Sequence, residues 1–298
     1  MNKTMMADMG LLMVAIVWGS GYVAVSLALD AHIAPCYLLA FRFLGAALLI
    51  SLFFWRKLKQ ISRANIAAGL LIGILLFLAF ALQTIGLEYT TASNNAFITS
   101  ANVIIVPFLY WLIKRQKPDV FAFSASFIML VGLCVLSLND LQRINVGDLM
   151  TLGCALFFAG HIMIVSHFTK NHDPVLLTLL QLFFAGILAA ITALIFERPP
   201  EALTLQAWGS IGYLTLFSTL LCYIGQNVCQ KFTAPTNAAI ILSTESLFGA
   251  LLAIIMLDEG LTNSLCIGGG LIFTAVIIAE TRLSFLPFKS RFTAPTES

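Results

Sequence analysis

The chain has 298 residues, of which 60% are hydrophobic and only 10% charged, with a mean hydropathy of +0.97 and a formal net charge of +2. A water-soluble domain carries roughly 25% charged and about 45–50% apolar residues, so a soluble globular fold is excluded, and sixteen scattered Lys and Arg do not make a nucleic-acid footprint. The apolar residues fall in blocks of about 20, the length an α-helix needs to cross roughly 30 Å of hydrocarbon, and they continue to the end of the chain, unlike the single block of a secretory precursor.

In chain order, breaks made of charge, Pro, Asn and Gly delimit ten predicted spans at about 9–29, 35–55, 65–87, 93–113, 120–138, 148–168, 174–196, 207–229, 236–257 and 262–281. The fold class is therefore all-α and polytopic, with only short connections and no room for a soluble domain. Residues 284–298 are left as a basic juxtamembrane tail.

Positive residues stay on the cytoplasmic side of a membrane. An N-terminus placed inside gathers Lys3, Arg56, Lys57, Lys59, Arg63, Lys114, Arg115, Lys117, Lys170, Lys231, Arg282, Lys289 and Arg291 on that side. Only Arg143 and Arg198 lie outside, and Arg42 falls within a span. Both termini are predicted to be cytoplasmic, in an inner (cell) membrane.

The series Gln83, Tyr89, Thr90, Asn94, Ala96, Ser100 is echoed 143 residues later by Gln226, Phe232, Thr233, Asn237, Ala239, Ser243. Trp18 to Ser20 lies opposite Phe158 to Gly160, and Pro35 and Pro174 each open the following span. The chain reads as two five-helix units, 1–141 and 142–283. An odd number of crossings makes the second unit enter the bilayer from the other face, so the repeats are inverted, and inverted repeats with a midplane site between them are a transporter architecture.

Polar groups inside hydrocarbon are costly and mark partners or water-filled cavities. Two such residues carry formal charge, Arg42 in the second span and Glu245 in the ninth. Glu245 is either a proton-coupling site that also meets a substrate amine, or a structural carboxylate. Arg42 keeps its charge and so either anchors a substrate carboxylate or braces helices. Asn95 and Asn102, seven apart, share a helix face; Gln83, Gln226 and Asn237 complete the neutral set, and Asn102 corresponds to Glu245 at the 143-residue offset. Each of these amides is either a substrate contact or interhelical glue. Trp18 and Tyr22 stand one turn apart in a helix interrupted by Gly19 and Gly21, where a neighbouring backbone or a ligand can approach, and Tyr223 is a further aromatic candidate. Trp55, Trp111 and Trp208 read as interfacial anchors, and Gly268, Gly269 and Gly270 as helix packing. The six cysteines lack metal or redox spacing and read as small core residues. His161 and His167, six apart, do not share a face and are not expected to be metal ligands. No metalloprotease, esterase or phosphate-loop pattern is present, so no enzyme activity, metal or cofactor is expected.

Several stretches resemble the EamA-type transporters of the drug/metabolite transporter superfamily. They are Gly86 to Thr99 running on to Val106 and Pro107, the early Trp18 and Gly19, the pair Arg42 and Phe43, and Leu242 to Phe248 followed by Leu257 to Thr262. The resemblance covers about residues 10 to 282. It implies an alternating-access carrier with its cavity between spans one, three, four, six, eight and nine, and with spans five and ten as braces. Most members export metabolites, amino acids or toxic compounds.

A single intramembrane cation argues against phosphorylated substrates, which need several. The expected function is secondary active export of a small neutral or zwitterionic metabolite, amino acid or amphiphilic compound, with a proton as the candidate coupling ion. An uncoupled facilitator or importer is the alternative within transport, and a membrane-embedded structural or sensor protein the alternative of another class. The expected partners are a small-molecule substrate and membrane lipids, with the chain as a monomer or homodimer.

Overall fold

The computed structural model describes residues 3–115, 120–137, 145–200 and 203–281. The tail at 284–298, with Lys117, Arg143 and Arg282, lies outside them. The chain folds as ten transmembrane helices: α1 (Lys3–Asp30), α2 (Pro35–Phe53), α3 (Arg63–Leu87), α4 (Ala92–Thr99 and Asn102–Lys114), α5 (Val120–Ser137), α6 (Val146–Phe168), α7 (Pro174–Phe196), α8 (Leu205–Gln230), α9 (Pro235–Ser243 and Glu245–Met256) and α10 (Asn263–Thr281). Eight are long and apolar enough to span by composition, and α5 and α10 carry the shorter apolar stretches Phe123–Val135 and Asn263–Ile278. Helix α1 starts about six residues before its predicted span, because Met5, Met6 and Ala7 extend the helix through a turn too polar to count as apolar.

Helix starts follow local chemistry. Pro35, Pro174 and Pro235 open α2, α7 and α9, where the missing N–H has no intrahelical partner to lose. Ser62, Thr91, Asn145, Asp173 and Thr204 cap α3, α4, α6, α7 and α8 with a side-chain oxygen.

The face where α1 begins carries Arg56, Lys57, Lys59, Arg63, Arg115, Lys170 and Lys231 in its turns; the opposite face carries Asp30, Glu88, Glu197, Asp258 and Glu259, with Arg198 as its basic residue among those described. These are called the basic and acidic faces below.

Helices α2 and α7 pack on each other, α3 lies against α6 and α7, and α1 crosses α8 and α9. Helices α5 and α10 pair at the edge, where a Cβ on Gly132 would stand 3.0 Å from the Gly268 carbonyl oxygen. At the α1–α9 crossing a Cβ on Gly19 would meet Phe248 Cβ at 2.5 Å and the Glu245 carbonyl oxygen at 2.9 Å. Gly19 therefore serves backbone approach. Cys134 and Cys266 are exposed rather than core residues, since they sit on the outward sides of the peripheral pair α5 and α10, where a thiol behaves as a small apolar group.

Three helices depart from regular geometry. In α4 the pieces are joined by tight bonds such as Ser100 N to Phe97 O and Ala101 N to Ile98 O, and in α9 by Thr244 N to Ile241 O and Leu247 N to Thr244 O. Ser100 Oγ donates to Phe97 O and Ser243 Oγ to Ile240 O, both at 2.6 Å and 143 residues apart. Serine back-bonding thus bends both helices at equivalent points. Helix α8 instead widens into a π-helical stretch at Leu214–Leu221, a geometry that frees backbone and hydroxyl groups and recurs at functional sites.

Candidate functional site

The two bent helices and the π-helical stretch border one cavity. Trp18 and Tyr22 from α1, Arg42 from α2, and Gln83 from α3 line it on the first-half side, together with Asn95 and Asn102 from α4. Tyr223 and Gln226 from α8 and Glu245 from α9 complete the predicted set, with Phe80, Phe158 and His161 among the other walls. The lining helices are those implied by the resemblance, with α2 added through Arg42. The free volume, about 50 Å³ of space for water centres, holds a few waters, each of which needs roughly 10–15 Å³.

Asn237 is not part of it. It is exposed near the start of α9, because Pro235 sets the helix so that Ala238 and Ala239 turn inward instead. Its repeat counterpart Asn94 is likewise outside the cavity lining.

Two hydrogen-bonded clusters face the cavity. In the first, Tyr22 OH donates to Glu245 Oε1 at 3.0 Å, and Gln83 Nε2 donates to Tyr22 OH and Thr99 Oγ1, each at 3.2 Å. Asn95 Nδ2 donates to the Gln83 carbonyl oxygen and to Thr151 Oγ1, and Asn102 Nδ2 to the Thr99 carbonyl oxygen. The bend in α4 opens its second piece with Asn102, and that in α9 opens its second piece with Glu245.

In the second cluster, Arg42 is 1% exposed. Its Nε donates to Thr219 Oγ1 at 2.9 Å and its Nη2 to Ser218 Oγ at 3.3 Å, while the guanidinium lies 4.7 Å from the Phe80 ring centre and 5.3 Å from that of Phe43. Ring faces and hydroxyls offset part of the cost of burying this cation. Trp18 Nε1 donates to the Ser218 carbonyl oxygen at 2.7 Å, so α1 is tied to the π-helical stretch as well.

Sequence reasoning missed His161. It lines the cavity, hydrogen-bonds Gln181 Oε1 through Nε2 at 2.9 Å, and meets the Tyr223 ring edge-on at 6.0 Å. The available signal was that His161 is a third titratable group deep in a span; comparing it with His167 for metal-ligand spacing hid that. Ser218, Thr219 and Thr151 were also missed, since single hydroxyls in a span carry no spacing pattern.

Closures stand on both faces. Toward the acidic face Thr90 Oγ1 donates to Asp148 Oδ1 at 2.6 Å; toward the basic face Thr233 Oγ1 donates to Asp8 Oδ1 at 2.9 Å. Thr90 and Thr233 are 143 residues apart, and Asp8 and Asp148 are 140 apart, matching the Trp18–Phe158 offset. On the acidic face, carboxylates also cap helices of the other half. Glu197 accepts from Cys36 N and Tyr37 N at the start of α2, and Glu259 from Ala92 N and Ser93 N at the start of α4.

The model of the EamA-like transporter family matches residues 5–138 and 145–281. An uncharacterized transporter of Archaeoglobus fulgidus is 35% identical over 281 residues, covering 94% of this chain and 88% of that protein. The uncharacterized transporter YyaM of Bacillus subtilis is 24% identical over 209 residues, covering 66% and 68% respectively. A solved crystal structure superimposes with a TM-score of 0.69 at 14% identity over 92% of this chain and 96% of that one, a likeness of fold alone. With ten membrane helices in two inverted halves and both halves matched, the chain is a multi-pass membrane transporter and belongs to the EamA-like transporter family.

Proposed function

We propose that the chain is a secondary active exporter of the cell membrane, with both termini cytoplasmic. It moves a small neutral or zwitterionic metabolite, amino acid or amphiphilic compound by alternating access, and Glu245 carries the coupling proton. The observation that carries this reading is Glu245 itself. It is a buried carboxylate at the bend of α9, lining the cavity between the two halves and held by a single donor, Tyr22 OH. A carboxylate so placed meets substrate or proton in turn, whereas a structural one takes several fixed partners. The basic turns support the orientation, and the paired closures on opposite faces supply the two gates that alternating access needs.

The test uses sealed proteoliposomes loaded with a mixture of amino acids and amphiphilic dyes. An imposed pH gradient is expected to drive net movement of at least one of them, and Glu245→Gln to abolish that movement while leaving solute exchange. Gradient-driven flux that is unchanged in Glu245→Gln removes the coupling role and leaves an uncoupled facilitator or importer.

A further inference from the structure

The cavity has two unmet demands of opposite kind. A guanidinium offers five N–H donors, and the Arg42 side chain places two of them, on Thr219 and Ser218. No carboxylate answers it, because the ion pair among the described residues is Lys57 with Asp173 on the basic face. Phe80 and Phe43 flank the guanidinium and keep its charge in the cavity wall. In the other cluster the shortage is of donors. Asn95 Oδ1 and Asn102 Oδ1 are buried without a partner, and their orientation is fixed, since each Nδ2 already donates to a backbone carbonyl. Glu245 beside them accepts from Tyr22 alone.

We infer that the transported solute is a primary-amine zwitterion, with its carboxylate on Arg42, its ammonium on Glu245 and the Asn102 amide oxygen, and an apolar side chain against Phe80, Phe158 and Tyr223. The inference rests on the transport reading and narrows its substrate class. A carboxylate supplies the acceptors that Arg42 lacks, and an ammonium supplies three donors and no acceptor to a cluster short of donors. A neutral solute, a simple amine or a simple acid leaves at least one buried charge unanswered.

Purified protein is assayed for ligand-induced thermal stabilisation, and reconstituted protein for competition of flux. The ligands are L-alanine, L-leucine and L-phenylalanine, each beside the amine and the acid that lack one charge: ethylamine and propanoate, isopentylamine and 4-methylpentanoate, phenethylamine and 3-phenylpropanoate. At least one zwitterion is expected to bind about ten-fold more tightly than either of its analogues. In Arg42→Gln that advantage over the amine disappears while the amine binds as before, and in Glu245→Gln the advantage over the acid disappears. The inference is overturned when no zwitterion outranks its analogues in the unsubstituted protein, a comparison that needs no variant to fold. It is overturned equally by an Arg42→Gln protein that binds all ligands with the same proportional loss. Zwitterion stabilisation without any flux keeps this site and removes the transport reading; flux of dyes with no charge discrimination does the reverse.

Discussion

Helices α4 and α9 hold equivalent places in the two halves and bend at equivalent serines, yet Asn102 opens the second piece of one and Glu245 that of the other. The surroundings differ in step. Glu245 has Tyr22 as its donor, whereas the residue 140 positions after Tyr22 is Ile162, which offers none. The fold thus repeats the bend and confines the ionisable group to one half, so a proton carrier can be singular within a duplicated scaffold.

Moving the carboxylate tests this most severely. The double variant Asn102→Asp with Glu245→Gln is expected to stay at the gradient-driven flux of empty vesicles, because position 102 has depth but no phenol donor. Recovery of flux would show that depth alone sets coupling and that Tyr22 is dispensable.

The same two crossings differ in closeness. Helix α1 meets α9 through Gly19 and Gly249; the counterpart crossing of α6 on α4 uses Ala159 and Val106, buried together in one apolar cluster. Gly19→Ala puts a methyl 2.5 Å from Phe248 Cβ and 2.9 Å from the Glu245 carbonyl oxygen, an overpacking expected to cost about 1–3 kcal/mol. Ala159→Gly is expected to cost only about 0.5–1 kcal/mol. Thermal unfolding in detergent should rank them in that order, and a reversal would mean that the α1–α9 contact yields more readily than its geometry indicates.

The architecture was readable from the sequence because the bilayer imposes length, and parity follows from counting crossings. Nine of the ten candidate residues come to one cavity because polar side chains inside a span point away from lipid. Asn237 did not, since it lies in the first turn of α9, where solvent is near and burial imposes nothing. The bends were half visible: Ser100 and Ser243 matched in the repeat, but back-bonding to a particular carbonyl is a choice between rotamers that spacing does not encode. The π-helical stretch left no local trace, as Leu214 to Leu221 reads as ordinary helix, and its geometry arises where Arg42, Trp18 and Gly21 press on Ser218 and Thr219.

The two closures form a comparison of smaller energy. Removing one hydroxyl donor costs about 1 kcal/mol, roughly five-fold in a two-state population. Thr90→Val is expected to raise thiol labelling of a Leu87→Cys reporter near the acidic face, and Thr233→Val that of a Leu242→Cys reporter on the basic-face half, each in a background cleared of native cysteines. Both variants raising the same reporter would break the pairing of closures with faces.

The faces also differ in the sign of their pH response, through two residues outside the membrane-spanning segments. Burial alone would raise Asp173, but the Lys57 hydrogen bond and the backbone N–H groups of Leu176 and Val175 outweigh it and hold the carboxyl below its usual range. Glu88 is pushed above the usual range by burial and then by the neighbouring Glu197 carboxylate. The stability Asp173 contributes is therefore present above its unfolded value and is lost as pH falls through its depressed one. Ionised Glu88 works the other way, costing stability as pH rises past the ordinary carboxylate range. Both are substantially solvated, so each effect is screened to about 0.5 kcal/mol or less. Asp173→Asn should lower the thermal midpoint slightly at neutral pH and converge with the unsubstituted protein in acid, whereas Glu88→Gln should raise it slightly at neutral pH and converge likewise. Shifts of the same sign in the two variants would mean that the acidic face does not strain Glu88 against Glu197, and that Glu197 holds the start of α2 without an opposing charge.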